Sequence, residues 1–165
     1  MEPHKSESVT ERQYLTFMIR DEFFGISIET VKEILEYDNV TAIPLMPDFV
    51  KGVLNLRGEV VPVIDLSLRL GKGATELKER TCIVVLEIPY EDQLVVLGAL
   101  VDSVTEVIEV DTTQIEPAPT FGARVKAQFI HGVINVDGQF VILLRGDKAL
   151  SVDELASLVE KVSEK

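Results

Sequence analysis

The chain has 165 residues, 46% of them hydrophobic, and a formal net charge of −12 from 28 acidic and 16 basic side chains. This length suits one domain with a real core or two small barrels packed together, and the apolar fraction excludes disorder for the body of the chain. Because the balance is acidic and no stripe of lysine and arginine alternates with aromatic residues, nucleic acid and anionic membrane surfaces are poor candidate partners.

The chain begins with a polar stretch, residues 1–10, that we expect to be a disordered arm. This stretch has no apolar segment typical of a signal peptide, and no run approaches the roughly 18 apolar residues of a membrane span. The single cysteine, Cys82, cannot form an internal disulfide. We therefore expect a soluble cytoplasmic protein with no direct membrane insertion.

Alternation of polar and apolar residues predicts a first strand over 13–20 and a second over 23–28. Apolar residues then take helical spacing for about one and a half turns, which predicts a short helix near 29–32. A further strand is expected from about Glu33.

A hairpin is predicted over residues 49–66, FVKGVLNLRGEVVPVIDL, where two apolar runs flank Arg57-Gly58. Glycine at that corner supplies the positive φ of a tight turn, and the apolar arms indicate strands covered on both faces. Asp65 can cap a short helix over 66–70. The stretch 71–79 then reads as a polar hinge.

The second half of the chain predicts strands over 81–88 and 93–101 and a second hairpin over 129–144, with a longer loop between them. The last segment, 151–165, has a capping box at its start and an apolar stripe at helical spacing. We expect it to be an amphipathic helix laid across the rest of the fold.

The two halves match each other in order. Six positions of the first hairpin recur 80 residues later, and a segment upstream of each hairpin, containing Glu33 in the first half and Glu106 in the second, recurs at a spacing of 73. Glycines, turn residues and apolar positions align, which indicates an internal duplication. We predict an all-β fold with short helices, made of two repeated barrels over about 13–70 and 80–150 and followed by the C-terminal helix.

Residues that would carry catalysis are missing from the pattern. The two histidines, His4 and His131, are far apart, and with one cysteine they cannot supply four zinc ligands. The string 71–73, Gly-Lys-Gly, lacks the spacing of a phosphate loop. Acidic residues recur at matched positions of both copies, which favours a shared structural role over an acid/base pair. A binding module is therefore favoured over an enzyme with a site built from scattered carboxylates.

Arg57, at an exposed turn of an acidic protein, is a candidate anchor for a carboxylate or for backbone carbonyls of a partner, although a solvated turn residue is the commoner case. Apolar residues near the junction of the two copies are candidates for a groove, or else for interior packing: Val31, Ile34, Leu97 and Val104. Gly52 and its repeat, Gly132, indicate a bulge or a close backbone approach.

Several of these segments together resemble one family. The run KGVLNLRGEVVPVIDL, preceded by VKEILEYDNVTAIP and followed by LGALVDSVTEVIEV and IEPAP, is similar to the chemotaxis coupling protein family, CheW. The resemblance covers about 13–150. It implies two five-stranded SH3-like barrels, no catalytic activity and no cofactor.

The resemblance also implies partners. Members of the family bind the cytoplasmic tip of chemoreceptors and the regulatory domain of the CheA histidine kinase. Matched by motif position, Val31, Glu33, Gly52 and Arg57 are implicated in receptor or kinase contact, with Asn55 supporting the hairpin. The same fold occurs within the kinase and fused to receiver domains. Because neither a kinase motif nor a receiver-like pattern is present, we expect a free-standing coupler.

Overall fold

The computed structural model describes residues 11–38, 40–117 and 127–150. Most of these residues lie in strands: Glu11–Ile19 (β1), Glu22–Ser27 (β2), Val31–Glu36 (β3), Val50–Leu56 (β4), Glu59–Asp65 (β5), Cys82–Tyr90 (β6), Gln93–Val101 (β7), Ser103–Asp111 (β8), Ile130–Val136 (β9) and Gln139–Leu144 (β10). Two four-residue helices follow the hairpins, Leu66–Arg69 (α1) and Gly146–Ala149 (α2), and short 3-10 turns cover Ile28–Thr30, Thr112–Gln114 and Ala127–Phe129. The predicted arm, 1–10, and C-terminal helix, 151–165, lie outside the described residues.

The strands form two five-stranded sheets, which confirms the predicted all-β class and the strand number of each barrel. The first sheet has the order β8-β1-β2-β10-β9 and the second has the order β3-β6-β7-β5-β4. Pairing is antiparallel except between β2 and β10 and between β5 and β7. If each strand from β1 to β5 is exchanged with its counterpart from β6 to β10, the order of the first sheet becomes the order of the second. The duplication is therefore also a structural repeat.

Each sheet nevertheless takes strands from both copies. The first sheet combines β1 and β2 with β8, β9 and β10, and the second combines β3, β4 and β5 with β6 and β7. The predicted division into 13–70 and 80–150 therefore does not describe the two barrels. A repeated sequence defines the unit but not which copy supplies the pairing partner, because matched strands present the same edges. Short connections, such as Asp102 between β7 and β8, carry the chain from one sheet to the other.

Three apolar clusters form the interior of the fold. One, which we call the shared core, draws on both sheets and includes Phe17, Phe24, Leu86 and Leu97. The other two lie within single sheets. Along β6, alternate residues belong to the second sheet's own cluster and to the shared core, so this strand is covered on both faces.

The predicted cap and hinge take defined positions. Asp65 accepts a hydrogen bond from the Leu68 amide at 3.2 Å, as expected of a helix N-cap, and two more from the amide and hydroxyl of Thr75 at 2.9 and 2.7 Å. In the hinge, Lys72 is largely buried and forms an ion pair with Glu22 of the first sheet. The hinge is therefore fastened to both sheets.

Across the ranges that the structure describes, no helix has the length and apolar character needed to span a bilayer.

Candidate functional site

The first hairpin, β4–β5, turns at Arg57 and Gly58, which have φ angles of 51° and 90°. Asn55 stabilises this turn, because its side-chain oxygen accepts a hydrogen bond from the Gly58 amide at 2.9 Å. Arginine in a left-handed conformation costs roughly 1 kcal/mol or more compared with glycine. The matched position of the second hairpin, Asp137, has a φ of 52°, so this conformation belongs to the turn and not to the arginine.

Arg57 pairs with Glu33 of β3. Its guanidinium donates a hydrogen bond from Nη2 to Glu33 Oε1, and the Arg57 side chain keeps 66% of its accessible surface against 25% for Glu33. This hydrogen bond holds the pKa of Glu33 below its usual range and, with the attraction between the charges, raises the pKa of Arg57. Since β3 and β4 are the two edges of the second sheet and Arg57 directly follows β4, the pair connects the two edges.

Other side chains of β3 anchor the strand. Val31 is half-buried against the shared core, and Lys32 reaches Glu87 of β6 at 3.3 Å. The carboxylate of Glu33 is therefore presented from a strand that packing holds in place. Of the residues implicated by resemblance, the structure brings together Glu33, Asn55 and Arg57 at the end of this barrel.

Gly52 has a packing function. It is buried in β4, and a Cβ at this position would lie 2.2 Å from the carbonyl oxygen of Thr41, a residue that exchanges two backbone hydrogen bonds with Val53. Gly132 repeats the arrangement, because a Cβ there would lie 2.2 Å from Ile115. Close packing therefore explains both glycines: the nearest contact is the Thr41 backbone at Gly52, whereas at Gly132 it is the Ile115 side chain, with the Glu116 carbonyl oxygen at 3.0 Å.

The four candidate groove residues divide by burial. Leu97 has no exposed surface and packs in the shared core, which excludes it from any groove lining. Ile34 keeps 44% exposure on β3, whereas Val31 and Val104 are half-buried. The Cys82 thiol of β6 donates a hydrogen bond to the Arg80 carbonyl at 3.2 Å and lies beside the backbone of Val104, and Cys82 pairs with Glu36 at the end of β3, so β8 approaches the second sheet at this end of β6. Burial raises the pKa of that thiol.

Beside each hairpin turn lies an exposed apolar residue that the sequence analysis did not identify. Val60 faces outward beside the first turn with 37% exposure, and Phe140 takes the matching place in the second hairpin with 61%. Both stand opposite the asparagine that stabilises their turn. In a continuous apolar run such as EVVPV, the sequence does not show which side chains face outward. The repeat spacing of 80 does match Val60 to Phe140.

The described residues contain no group of three or more histidine, cysteine, aspartate or glutamate side chains placed to hold a metal ion. A cavity of about 720 Å³ beside the hinge is lined by charges of both signs, among them Arg20, Glu76 and Arg80. Glu33 and Asp111, whose pKa values are both lowered by side-chain hydrogen bonds, do not line it.

A comparison with protein families identifies this arrangement. A family model described as the CheW-like domain matches residues 13–154. The chain belongs to the CheW-like family. Its match spans both barrels and includes every candidate site residue.

Individual CheW-like relatives agree. The chain is 37% identical to the chemotaxis protein CheW of Klebsiella aerogenes over 92% of this chain and 89% of that protein. It is 33% identical to the chemotaxis protein CheW of Rhizobium meliloti over 87% and 90%. Among solved structures, the scaffolding protein TtCheW from Thermoanaerobacter tengcongensis matches with a TM-score of 0.73 and 33% identity, covering 81% of this chain and 84% of that one.

Proposed function

We propose that this CheW-like protein is a non-catalytic chemotaxis adaptor, which couples the cytoplasmic tips of chemoreceptors to the regulatory domain of the CheA histidine kinase. Membership of the family and the names of its relatives support the chemotaxis role. The observation that carries the proposal is the exposed Arg57 at the tip of the first hairpin, held in orientation by Glu33.

The first hairpin has the properties of a docking site. Its guanidinium has donors in a fixed planar fork, and the ion pair with Glu33 limits the conformations that must be lost on binding. Val60 places an exposed apolar side chain beside it. A partner that offers a carboxylate or free carbonyls next to an apolar residue fits this surface.

In the mechanism that we propose, the receptor tip is helical, and its apolar face lies in a groove between the barrels, near the exposed Ile34 of β3 and the half-buried Val104 of β8. The kinase contributes a barrel of similar fold that contacts an exposed barrel surface. Each contact is modest, and the receptor array raises the effective concentration. The adaptor is cytoplasmic and is recruited to the membrane by its receptors.

Calorimetric titration tests the proposal, with the full chain against the regulatory domain of its cognate CheA kinase and, separately, against a receptor tip fragment. Arg57→Glu reverses the charge at the first turn, and Asp137→Lys is the matched control, because Asp137 takes the same left-handed position in the second turn. We expect wild-type affinity in the micromolar range or better for at least one partner and a loss of that affinity with Arg57→Glu only.

The outcomes separate the alternatives. Loss of kinase binding with Arg57→Glu assigns the first hairpin to the kinase, and loss of receptor binding assigns it to the receptor. The two variants shift the net charge by two units in opposite directions, so opposite changes in affinity of similar size would attribute the effect to net charge, and equal losses would attribute it to disturbed turns; either result would remove the first hairpin from the proposal. If the folded wild type binds neither partner, the adaptor function is wrong, and another regulatory module of the same fold becomes the better hypothesis.

A further inference from the structure

The bases of the two hairpins converge on one side chain, Arg69 of α1. Its guanidinium carbon lies 5.0 Å from the ring centre of Phe49 and 4.6 Å from that of Phe129. These distances place a cation against two aromatic rings, an arrangement that is strengthened when it is shielded from water. Phe49 precedes β4 and Phe129 precedes β9, so each ring belongs to the base of a different barrel's hairpin.

The same guanidinium also contacts α2, which follows the second hairpin. Its Nε donates a hydrogen bond to the carbonyl of Ala149 at 3.3 Å, and Nη2 donates to the carbonyl of Lys148 at 3.4 Å. A cation is favourable at the C-terminal carbonyls of a helix, which otherwise lack partners. Arg69 therefore contacts both hairpin bases and the end of the second helix.

The repeat makes this contact asymmetric. Phe49 and Phe129 are matched positions 80 residues apart, and the residue matched to Arg69 is Ala149. Each phenylalanine is tied to its own hairpin, because its carbonyl accepts a hydrogen bond from the amide of Asp65 or of Arg145, which also match. One arginine thus occupies the centre of a nearly symmetric arrangement, where a second guanidinium would repel it.

We infer that Arg69 is a positioning residue that couples the two barrels, so that a displacement of the hairpin carrying Arg57 moves the second hairpin as well. The side chain is the physical link between the bases of both hairpins. This inference deepens the proposed adaptor function and rests on it where partners are concerned. The link itself is a property of the chain alone.

Amide hydrogen exchange of the full chain, followed by NMR, tests the link without any partner. The amides of Asp65 and Arg145 report the bases of the two hairpins, and the paired amides within β6 and β7 report global opening. Arg69→Ala removes both ring contacts and both hydrogen bonds, and we expect exchange at the two base amides to rise about tenfold. Arg69→Lys keeps the charge but not the planar fork, so a smaller rise is expected.

Lys148→Ala is the matched control, because it removes a charge from the same helix but leaves the carbonyl that Arg69 contacts. It is expected to leave both base amides unchanged. Unchanged exchange in Arg69→Ala, or an equal rise at every amide of β6 and β7, would overturn the inference, because Arg69 would then be dispensable or contribute only to global stability.

A second measurement tests the coupling between partners. The dissociation constant for the kinase regulatory domain is measured with and without saturating receptor tip fragment. For the wild type we expect the two dissociation constants to differ by about fivefold or more, so that their ratio is far from one. In Arg69→Ala the ratio is expected to approach one while each separate affinity changes by less than about twofold, an outcome that a purely structural role would not produce.

A retained ratio in Arg69→Ala, or a wild-type ratio of one with both partners bound, would refute the coupling. Failure of both partners to bind would refute the adaptor function instead, and the exchange experiment would still decide the link.

Discussion

Gly52→Ala gives the most direct test of how the barrel that carries the first hairpin is packed. The added Cβ would lie 2.2 Å from the Thr41 carbonyl oxygen and 2.7 Å from its carbonyl carbon. Both atoms are backbone, so no side-chain rotation relieves the overlap. The segment that contains Thr41 has to move away from β4 by about an ångström to restore ordinary contact.

The energetic cost follows from what that movement breaks. Thr41 and Val53 exchange two backbone hydrogen bonds, each 2.8 Å long. Their loss costs about 0.5–1.5 kcal/mol each, and overpacking adds about 1–3 kcal/mol. We expect Gly52→Ala to lower the free energy of unfolding by about 3 kcal/mol, a large part of the stability of an ordinary domain.

Denaturant unfolding followed by circular dichroism measures this difference, with two other glycines for comparison. Gly58 also has positive φ, but a Cβ there would meet nothing within 4 Å, so Gly58→Ala is expected to cost only about 1–2 kcal/mol of backbone strain. At Gly132 the severe overlap is with the Ile115 side chain, which can move, so we expect an intermediate loss. If Gly52→Ala costs no more than Gly58→Ala, the packing explanation of Gly52 is refuted.

Three further predictions concern side chains of the same barrel. Asp65→Ala removes the acceptor of three hydrogen bonds at a side chain with 4% exposure, so thermal or denaturant unfolding should show a loss of about 3 kcal/mol, with a smaller loss for Asp65→Asn. Leu97→Ala should cost about 2–5 kcal/mol as a core truncation, whereas Ile34→Ala should change stability by less than about 1 kcal/mol and weaken receptor binding; the reverse order would contradict the assigned burial. NMR titration should show the pKa of Glu33 rising toward its usual value in Arg57→Gln. Because the folded-state pKa is the lower one, the pair stabilises the fold above the ordinary glutamate pKa and loses its contribution as the pH falls below that value, and an unchanged Glu33 pKa would mean that the ion pair does not form in solution.

Local features of the fold could be predicted from sequence because neighbouring residues determine them. The turn at Arg57-Gly58 follows from glycine's access to positive φ, and the cap at Asp65 follows from the position of a short acidic side chain before a helix. The exchange of strands between copies could not be predicted. A strand of one copy finds the same apolar edge in either copy, and only the short connections decide the outcome.

The candidate site shows the same limit at the level of single residues. The charge and turn position of Arg57 are visible in the sequence, but its ion pair with Glu33 depends on two edge strands meeting, and these residues are 24 positions apart. Leu97 and Ile34 both lie in apolar runs, so the sequence does not distinguish the burial of their side chains. When strands are covered on both faces, the alternation that normally separates inward from outward residues is lost, so burial has to come from the structure.

The two hairpins share their backbone features but differ in charge. Glu33 and Arg57 of the first copy correspond to Glu106 and Asp137 of the second, so the second copy has two acidic residues at the positions of the ion pair. Both turns keep the left-handed conformation, the supporting asparagine and the outward apolar residue. The shared features therefore belong to the scaffold. The difference lies in the exposed charged side chains, which is why the proposed cationic contact is assigned to the first hairpin.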